Sequence, residues 1–468
     1  MTDSSGNKIG TDFNFQKIVN HQSDFFKSNK TKDIGFRKQN LKKLLQTLKD
    51  NEELLYKAIY TDFKKSAFET YETELALIYH EIKLAIKKLP KWSSKKSVGT
   101  DMANLPGKSY LMPEPLGNTL VIGAWNYPYQ LSILPAVASI AAGNTVIIKP
   151  SELAANTSSV MAEIINTAFA QEYFHIIEGG IPETTELLKQ KFDKIFYTGS
   201  SMVGKIVMKA ASENLCPVVL ELGGKSPAFV LDDANIKMAA RRIVYGKFLN
   251  GGQTCVAPDY ILVHKSIKEK LINEIIKQVK EIHGDNPIES EAFVRIITPR
   301  HFDRLVKLID AKKVVMGGDI KKEELYIAPT LLDNVDWEDI VMQEEIFGPI
   351  LPVIEFEDLD DAITKVKEKS KPLALYLFTR SSRMREKVFN EISFGGGMLN
   401  DTLTHLTNAN LPFGGVGYSG MGNYHGKFGF DAFSHQKSII HKTNLIEPFI
   451  KYPPYTKLKS KIIKWVLE

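Results

Sequence analysis

Lys194-Ile-Phe-Tyr-Thr198-Gly199-Ser-Ser-Met-Val-Gly204 runs from a short apolar stretch through a glycine into a helical pattern that lasts to Ala211. Strand, glycine turn and helix start, in that order, are the parts of a crossover unit. The alternation continues on both sides. Apolar runs at Thr119–Ile122, Thr145–Ile148 and Pro217–Leu220 are separated by helical patterning such as Ser159–Phe169. Strands alternating with helices predict a parallel sheet in an α/β nucleotide-binding architecture, with ligands beyond the carboxyl ends of the strands. At Gly199 the free N–H groups of a helix start suit a phosphate. The spacing is not GxGxxG, and a plain strand-to-helix turn explains this stretch alone at least as well.

A second α/β stretch is expected from Ser226 to Phe430, with strands at Tyr260–Val263, Ile350–Ile354 and Leu373–Phe378 and a long helix around Ile267–Ile282. Before the first sheet, Leu41, Leu44, Leu45 and Leu48 recur at helical spacing, as do Leu75, Ile78, Ile82 and Leu89. Lys and Glu on the other faces of these helices read as solvated surface. Residues 1–11 read as a frayed tail, and Lys91–Leu111 as an excursion from the main body. Pro448–Glu468 combines Lys457, Lys459, Lys461 and Lys464 with Leu458, Ile462, Trp465 and Leu467 as a basic amphipathic helix after a Pro-Pro stop.

The 468 residues are enough for about two or three domains. A composition of 43% hydrophobic and 25% charged residues is that of an ordinary globular protein. The net charge of +5, from 60 basic and 55 acidic residues, is scattered and gives no stripe for nucleic acid. Two cysteines exclude a disulfide framework and fit a reducing compartment. Met1–Lys8 lacks the apolar core of a signal peptide. The most apolar stretch, Leu131–Gly143, is shorter than the ~20 residues of a membrane span and is interrupted by Pro135. These features predict a cytoplasmic protein.

Four further segments carry polar groups at positions suited to chemistry. In Asn250-Gly-Gly-Gln-Thr-Cys255-Val-Ala-Pro-Asp259 a thiol lies among polar and glycine residues, where a core residue is out of place. It reads as a nucleophile or redox sensor, or as a plain loop cysteine. Val218-Val-Leu-Glu221-Leu-Gly-Gly224 puts a carboxylate at the end of an apolar strand, either as a base with a raised pKa or as a cap on nearby N–H groups. Ile122-Gly-Ala-Trp-Asn126-Tyr-Pro128 offers an amide to a developing oxyanion, or an asparagine turn before proline. Val146-Ile-Ile-Lys149-Pro-Ser151-Glu152 ends a strand with two charges that could hold a ribose, or that lie solvated on a surface turn. The other thiol, Cys216, sits before an apolar strand and reads as structural.

Taken together and in this order, these motifs resemble the aldehyde dehydrogenase superfamily, with Glu345-Ile-Phe347-Gly-Pro349 as a sixth matching segment across Glu114–His435. Trp125–Tyr129, Gly252–Asp259 and Leu411–Gly422 are most similar to its class 3 and fatty aldehyde branch. The resemblance implies a Rossmann-type dinucleotide-binding domain over 1–94 and 113–222 and an α/β catalytic domain over 223–432. It also implies an oligomerisation arm from 95–112 and 433–447 that builds a homodimer, with a tail over 448–468. Cys255 would be the nucleophile, Asn126 and the Cys255 N–H the oxyanion donors, and Glu221 the base that activates water against a thioester. NAD or NADP would be held by Lys149, Ser151, Glu152, Gly199, Ser200, Gly204, Leu222, Gly223, Glu345 and Phe347. Tyr127, Thr254 and Phe413, with Tyr129, would line a pocket for an aliphatic or aromatic aldehyde. No metal is implied. The tail would cover the partner's substrate entrance or touch a membrane surface. Two other readings keep the fold: a CoA-acylating enzyme, which the base at Glu221 argues against, and a non-catalytic binding protein.

Overall fold

Four long helices, with short helical turns among them, lead into the sheets, each of the four with its apolar positions on one face. The structure is a computed structural model describing residues 15–468, so the tail expected over 1–11 lies outside the described residues. Helix α1 (Phe15–Lys27) buries Phe15, Ile18, Val19 and Gln22. The Gln22 amide donates to the Val146 and Gln171 carbonyls at 3.1 and 3.0 Å, which satisfies the N–H groups of a fully buried side chain. Helix α2 (Ile34–Asp50) starts at Asp33, whose carboxylate accepts from the Phe36 N–H. It buries Leu41, Leu44 and Leu48, as their spacing predicts. Helices α3 (Glu52–Phe63) and α4 (Ala67–Thr70) follow, and a π-helical turn at Tyr71–Leu75 leads into α5 (Ala76–Trp92). Not all charges here are solvated. Glu74 and Glu81 are buried, because Glu74 faces the start of α6 (Pro128–Ala142) and Glu81 faces the Gly426 N–H.

Strands β1 (Lys96–Val98) and β2 (Gly107–Pro115) leave the body of the protein, as the fading periodicity predicts. The chain then alternates as expected: β3 (Asn118–Ile122), α6, β4 (Thr145–Lys149), α7 (Ala155–Ala168), β5 (Phe174–Ile176), α8 (Ile181–Leu188), β6 (Lys194–Thr198), α9 (Ser201–Ser212) and β7 (Val218–Glu221). These five strands are parallel, and β3, β4 and β6 are buried along their whole length because helices cover both faces. Every residue of α6 is buried, and the helix runs straight through Pro135, which sequence reading takes as an interruption. Packing on all sides outweighs the local cost of about 3 kcal/mol for an interior proline. The Arg37 guanidinium closes the far end of α6 by donating to the Ala141 and Ala142 carbonyls. Cys216 is buried beside β7 as a packing residue, its thiol directed at the Pro217 carbonyl.

The second sheet uses β8 (Pro227–Val230), α10 (Ile236–Phe248), β9 (Tyr260–His264), α11 (Lys268–His283), α12 (Pro299–Val306) and β10 (Val314–Met316). A ribbon of β11 (Ile320–Lys321) and β12 (Tyr326–Ile327) precedes β13 (Thr330–Leu332), α13 (Ile340–Gln343), β14 (Ile350–Phe356), α14 (Leu359–Lys367), β15 (Ala374–Phe378), α15 (Ser382–Glu391) and β16 (Gly396–Leu399). The strand order is β10-β13-β14-β9-β8-β15-β16, parallel except at β10. The chain then returns to the first sheet. Strand β17 (Gly420–Met421) pairs antiparallel with β7 and sets Gly420 opposite Glu221, giving the order β17-β7-β6-β3-β4-β5.

After α16 (Gly426–Ala432), β18 (Ser434–Lys442) pairs along the whole of β2, and β1-β2-β18 form a third, largely exposed sheet. The final helix α17 (Lys457–Leu467) rests against the turn Met102–Asn104 beside that sheet. Among the described residues, no helix is long and apolar enough to cross a membrane.

In the first sheet the chain winds one way from β3 to β5 and the other way from β6 to β7. The crevice between β3 and β6 is therefore a topological switch point. Ile122 lies opposite Lys149 on one side and Tyr197 on the other, so the carboxyl ends of these strands are level.

Candidate active site

The chain leaves α10 through Asn250, Gly251 and Gly252, all left-handed, with φ of 54°, 60° and 73°. Such a run strains an L-residue, and Asn250 is held from several directions. Its N–H donates to Glu69 Oε1 at 2.9 Å, and its amide donates to the Asn126 and Gln253 carbonyls at 2.8 and 3.2 Å. A β-carbon on Gly252 would overlap the Gly348 carbonyl, so glycine lets the Glu345–Pro349 segment approach the turn. Gln253 is fully buried; it donates to the Asn250 and Arg295 carbonyls and accepts from the Ile297 N–H. The polar composition that argues against a core position is thus itself buried: the Gln253 amide and the Asn250 side-chain N–H groups meet backbone partners, while Asn250 Oδ1 has none.

Cys255 follows this turn, half-buried in the wall of a cavity that Tyr127, Thr254, Glu221, Phe413 and Tyr424 also line. Burial, then the Glu345 and Glu221 carboxylates, push its thiol up to about 12. The N–H groups of Cys255 and Val256 oppose that shift by donating toward the sulfur. Glu221 ends β7 with 3% of its surface exposed and no partner for either carboxyl oxygen. Burial alone holds it well above the usual carboxylate range. The alternative of a carboxylate capping nearby N–H groups does not fit these unpartnered oxygens.

Asn126 lies behind the cysteine turn, its amide donating to the Gln253 carbonyl at 3.0 Å. The Tyr127 hydroxyl and Thr254 Oγ1 are 2.6 Å apart across the cavity wall. Phe413 stacks on the His425 ring at a centroid distance of 5.2 Å. Tyr129 is not a lining residue. It is fully buried, with its hydroxyl donating to the Leu55 carbonyl, because α6 turns it toward α3.

The remaining candidates gather at the strand ends. Lys149 is only 2% exposed; its ammonium donates to the Pro150 carbonyl at 2.7 Å and to Glu152 at 3.2 Å, and burial lowers its pKa. The reading of two solvated charges therefore fits only Glu152, which is exposed. Ser151 accepts from the Leu153 N–H, and Ser200 caps α9 by accepting from the Val203 N–H. A β-carbon on Gly199 would overlap the Tyr197 hydroxyl, and one on Gly204 would lie 2.8 Å from Leu222 Cδ2. Gly204 thus serves close packing of α9 against Leu222 as well as its place in the turn.

Gly223 gives space to the Glu345 carboxylate, whose pKa is raised to about 8, mainly by burial. Phe347, at φ 51°, sets its ring edge-on to Trp125 at 5.4 Å.

Sequence reading misses what holds this last segment. Asp259 accepts from the Ile346 N–H at 3.0 Å and from the Lys225 ammonium at 2.5 Å, while Arg304 donates to the Glu345 and Ile346 carbonyls. Asp259 closes the cysteine motif, but its partners are brought to it only by the fold. Thr198, whose buried hydroxyl has no partner, and His425 also line the cavity without a sequence signal.

Residues 8–439 match the model of the aldehyde dehydrogenase family. The chain is 50% identical over 442 residues to the 4,4'-diaponeurosporen-aldehyde dehydrogenase of Staphylococcus aureus, covering 94% of this chain and 96% of that one. It is 45% identical over 443 residues to the dimeric NADP-preferring aldehyde dehydrogenase of Mus musculus, covering 94% and 98%. The substrate-bound structure of Staphylococcus aureus AldH superposes with a TM-score of 0.95 at 49% identity, covering 97% of this chain and 99% of that one.

Proposed function

This chain belongs to the aldehyde dehydrogenase family and oxidises aldehydes with NAD or NADP, and we propose that Cys255, Glu221 and Asn126 carry the reaction. The observation that carries this reading is that Cys255 and an unpartnered, buried Glu221 line one cavity at the switch point of a parallel sheet. Bound there, the oxidised nicotinamide supplies a hydride acceptor and a positive charge that favours the thiolate. The Cys255 thiol releases its proton to solvent, the thiolate attacks the aldehyde carbon, and the Cys255 N–H with the Asn126 amide stabilises the oxyanion of the thiohemiacetal. Loss of hydride leaves a thioester on Cys255. Glu221 takes a proton from water, the resulting hydroxide adds to the thioester, and the carboxylate product departs as the thiol reforms.

The strand ends suit a dinucleotide. The first turn of α9 leaves N–H groups without helical carbonyls for a pyrophosphate. Lys149 and Glu152 reach a ribose past β4, with Gly199, Ser200 and Ser151 beside them. Leu222 and Gly223 shape the floor on which Glu345 and Phe347 meet the nicotinamide ribose. Exposed Ile181, Met202 and Ile206 on α8 and α9 offer an apolar face to the adenine. Because Lys149 pairs with Glu152, repulsion of a 2′-phosphate is offset, and we assign both cofactors to this site. On this reading residues 1–94 and 113–222 form the cofactor domain and 223–432 the catalytic domain.

Leu131, Leu249, Leu406 and Phe413 give the cavity apolar walls, which favour a medium- or long-chain or aromatic aldehyde. The Staphylococcus aureus relative, named for a diaponeurosporen-aldehyde, supports a long apolar substrate. Exposed Val98, Met102, Leu105 and Ile440 on the arm, and Leu458 and Trp465 on α17, support a homodimer joined through this face, with the tail helix inside the interface and not on a membrane. Two free cysteines fit the cytoplasm.

Incubation with a C6–C12 aldehyde series, NAD or NADP, and with or without CoA tests the scheme. Formation of NAD(P)H with an equal amount of free carboxylate, unaffected by CoA, is expected. An acyl-CoA as main product would overturn hydrolysis by Glu221.

A further inference from the structure

Lys65, in the turn between α3 and α4, has no exposed side-chain surface. A lysine loses much hydration on such burial, and an apolar residue usually serves stability as well. Its ammonium lies 3.0 Å from Glu74 Oε1, on an equally buried partner, and 4.1 Å from the centroid of the Tyr127 ring. Glu74 Oε2 accepts from the N–H groups of Tyr129 and Gln130 at 2.8 and 3.2 Å, which fixes the first turn of α6 directly after Asn126 and Tyr127. Glu69, one turn along and within the field of Lys65, accepts from the Asn250 N–H at the head of the strained run into Cys255. The Tyr127 hydroxyl in turn meets Thr254, the neighbour of Cys255.

One buried cation therefore faces two carboxylates and one aromatic ring, and each of the three holds part of the Cys255 turn or of the cavity wall around it. We infer that Lys65 is a positioning residue of the active site, its ammonium fixing both the start of α6 and the turn that presents Cys255. This rests on the reading of Cys255 as nucleophile. The charge is what matters. Without it, Glu69 and Glu74 face each other unneutralised, and one must take up a proton or leave its N–H partner. The face of Tyr127 also loses its cation, which frees the hydroxyl from its register with Thr254. None of these contacts reaches Lys149 or the start of α9, so dinucleotide affinity is independent of Lys65.

The test compares Lys65→Met, Lys65→Arg and Lys65→Met with Glu74→Gln in the full-length enzyme. It measures kcat, KM, NAD affinity by fluorescence titration, thermal midpoint, and iodoacetamide labelling of Cys255 followed by peptide mass spectrometry. For Lys65→Met, kcat should fall at least tenfold and Cys255 labelling severalfold, with NAD affinity within twofold. Lys65→Arg, or the double variant that removes the stranded carboxylate, should recover part of both losses. Unchanged kcat and labelling in Lys65→Met would overturn the inference. So would a parallel loss of kcat, NAD affinity and thermal midpoint in all three variants, the mark of a residue needed only for folding. Should Lys65→Met alone fail to fold, the other two variants decide by the same criteria. Full turnover by Cys255→Ser would sink the nucleophile assignment itself, whatever Lys65 does.

Discussion

The carboxylate of Glu345 fills the space that a β-carbon on Gly223 would need. Gly223 follows Leu222 at the end of β7, and Glu345 belongs to the segment tied down by Asp259 and Arg304. An alanine at 223 must therefore push the carboxylate out of the crevice, since the backbone behind Glu345 is held. Gly223→Ala should weaken dinucleotide binding about tenfold, which is ~1.4 kcal/mol. Titration with NAD and with NADP measures the loss, and wild-type affinity would contradict the geometry.

The resting Cys255 thiol, with a pKa of about 12, is protonated at neutral pH. Without dinucleotide, its alkylation by iodoacetamide should quicken roughly tenfold per pH unit from 7 to 10 with no plateau, since only the thiolate reacts. Glu345→Gln removes the larger of the two carboxylate repulsions and should speed labelling at pH 8. A plateau near pH 8 in the wild type would mean that the thiolate is already stabilised.

Glu221→Gln keeps the shape of the buried carboxyl but loses the base. The first turnover should still release one equivalent of NADH per active site, while the steady-state rate falls by a factor of about 100 or more. Stopped-flow absorbance separates the phases. A lost burst with an intact steady state would assign Glu221 to another step.

Glu81 is held at about 7 by burial and accepts from the Gly426 N–H at 2.8 Å. The folded state binds this proton more tightly than the unfolded chain. The contribution to stability is therefore complete below the ordinary carboxyl pKa and is lost as pH rises through about 7. Glu81→Gln should leave the thermal midpoint unchanged at pH 4.5 and raise it at pH 8.5, through a gain on the order of 1–3 kcal/mol. An equal shift at both pH values would assign the effect to packing.

The parallel strands are legible because each is an unbroken apolar run, and the first helices because their leucines repeat at helical spacing. What stays hidden is whatever depends on long-range burial. Pro135 breaks a local rule that the packing around α6 overrides. Lys65, Glu69, Glu74 and Glu81 have the composition of a solvated face, and only the fold turns them inward. Among the candidate site residues, the cysteine turn, Glu221 and the strand-end Lys149 stand out in sequence because polar groups interrupt apolar or glycine-rich runs. The clamp of Asp259, Lys225 and Arg304 does not, since its members come from three distant segments. Sequence reading takes the glycines as turns and cofactor contacts, although Gly204 and Gly223 matter also for the side chains they admit.

Strand β17 has only two residues, yet it closes the edge of the first sheet with chain made after the second sheet is complete. During synthesis, then, β7 and its terminal Glu221 wait with an open edge for about two hundred residues, the stretch in which Cys255 is made. A chain cut before Gly420 would carry every residue assigned here to bond-making, yet present β7 as an unpaired edge free to join another chain. Loss of the last fifty residues should therefore surface first as aggregation, with the catalytic groups all still encoded.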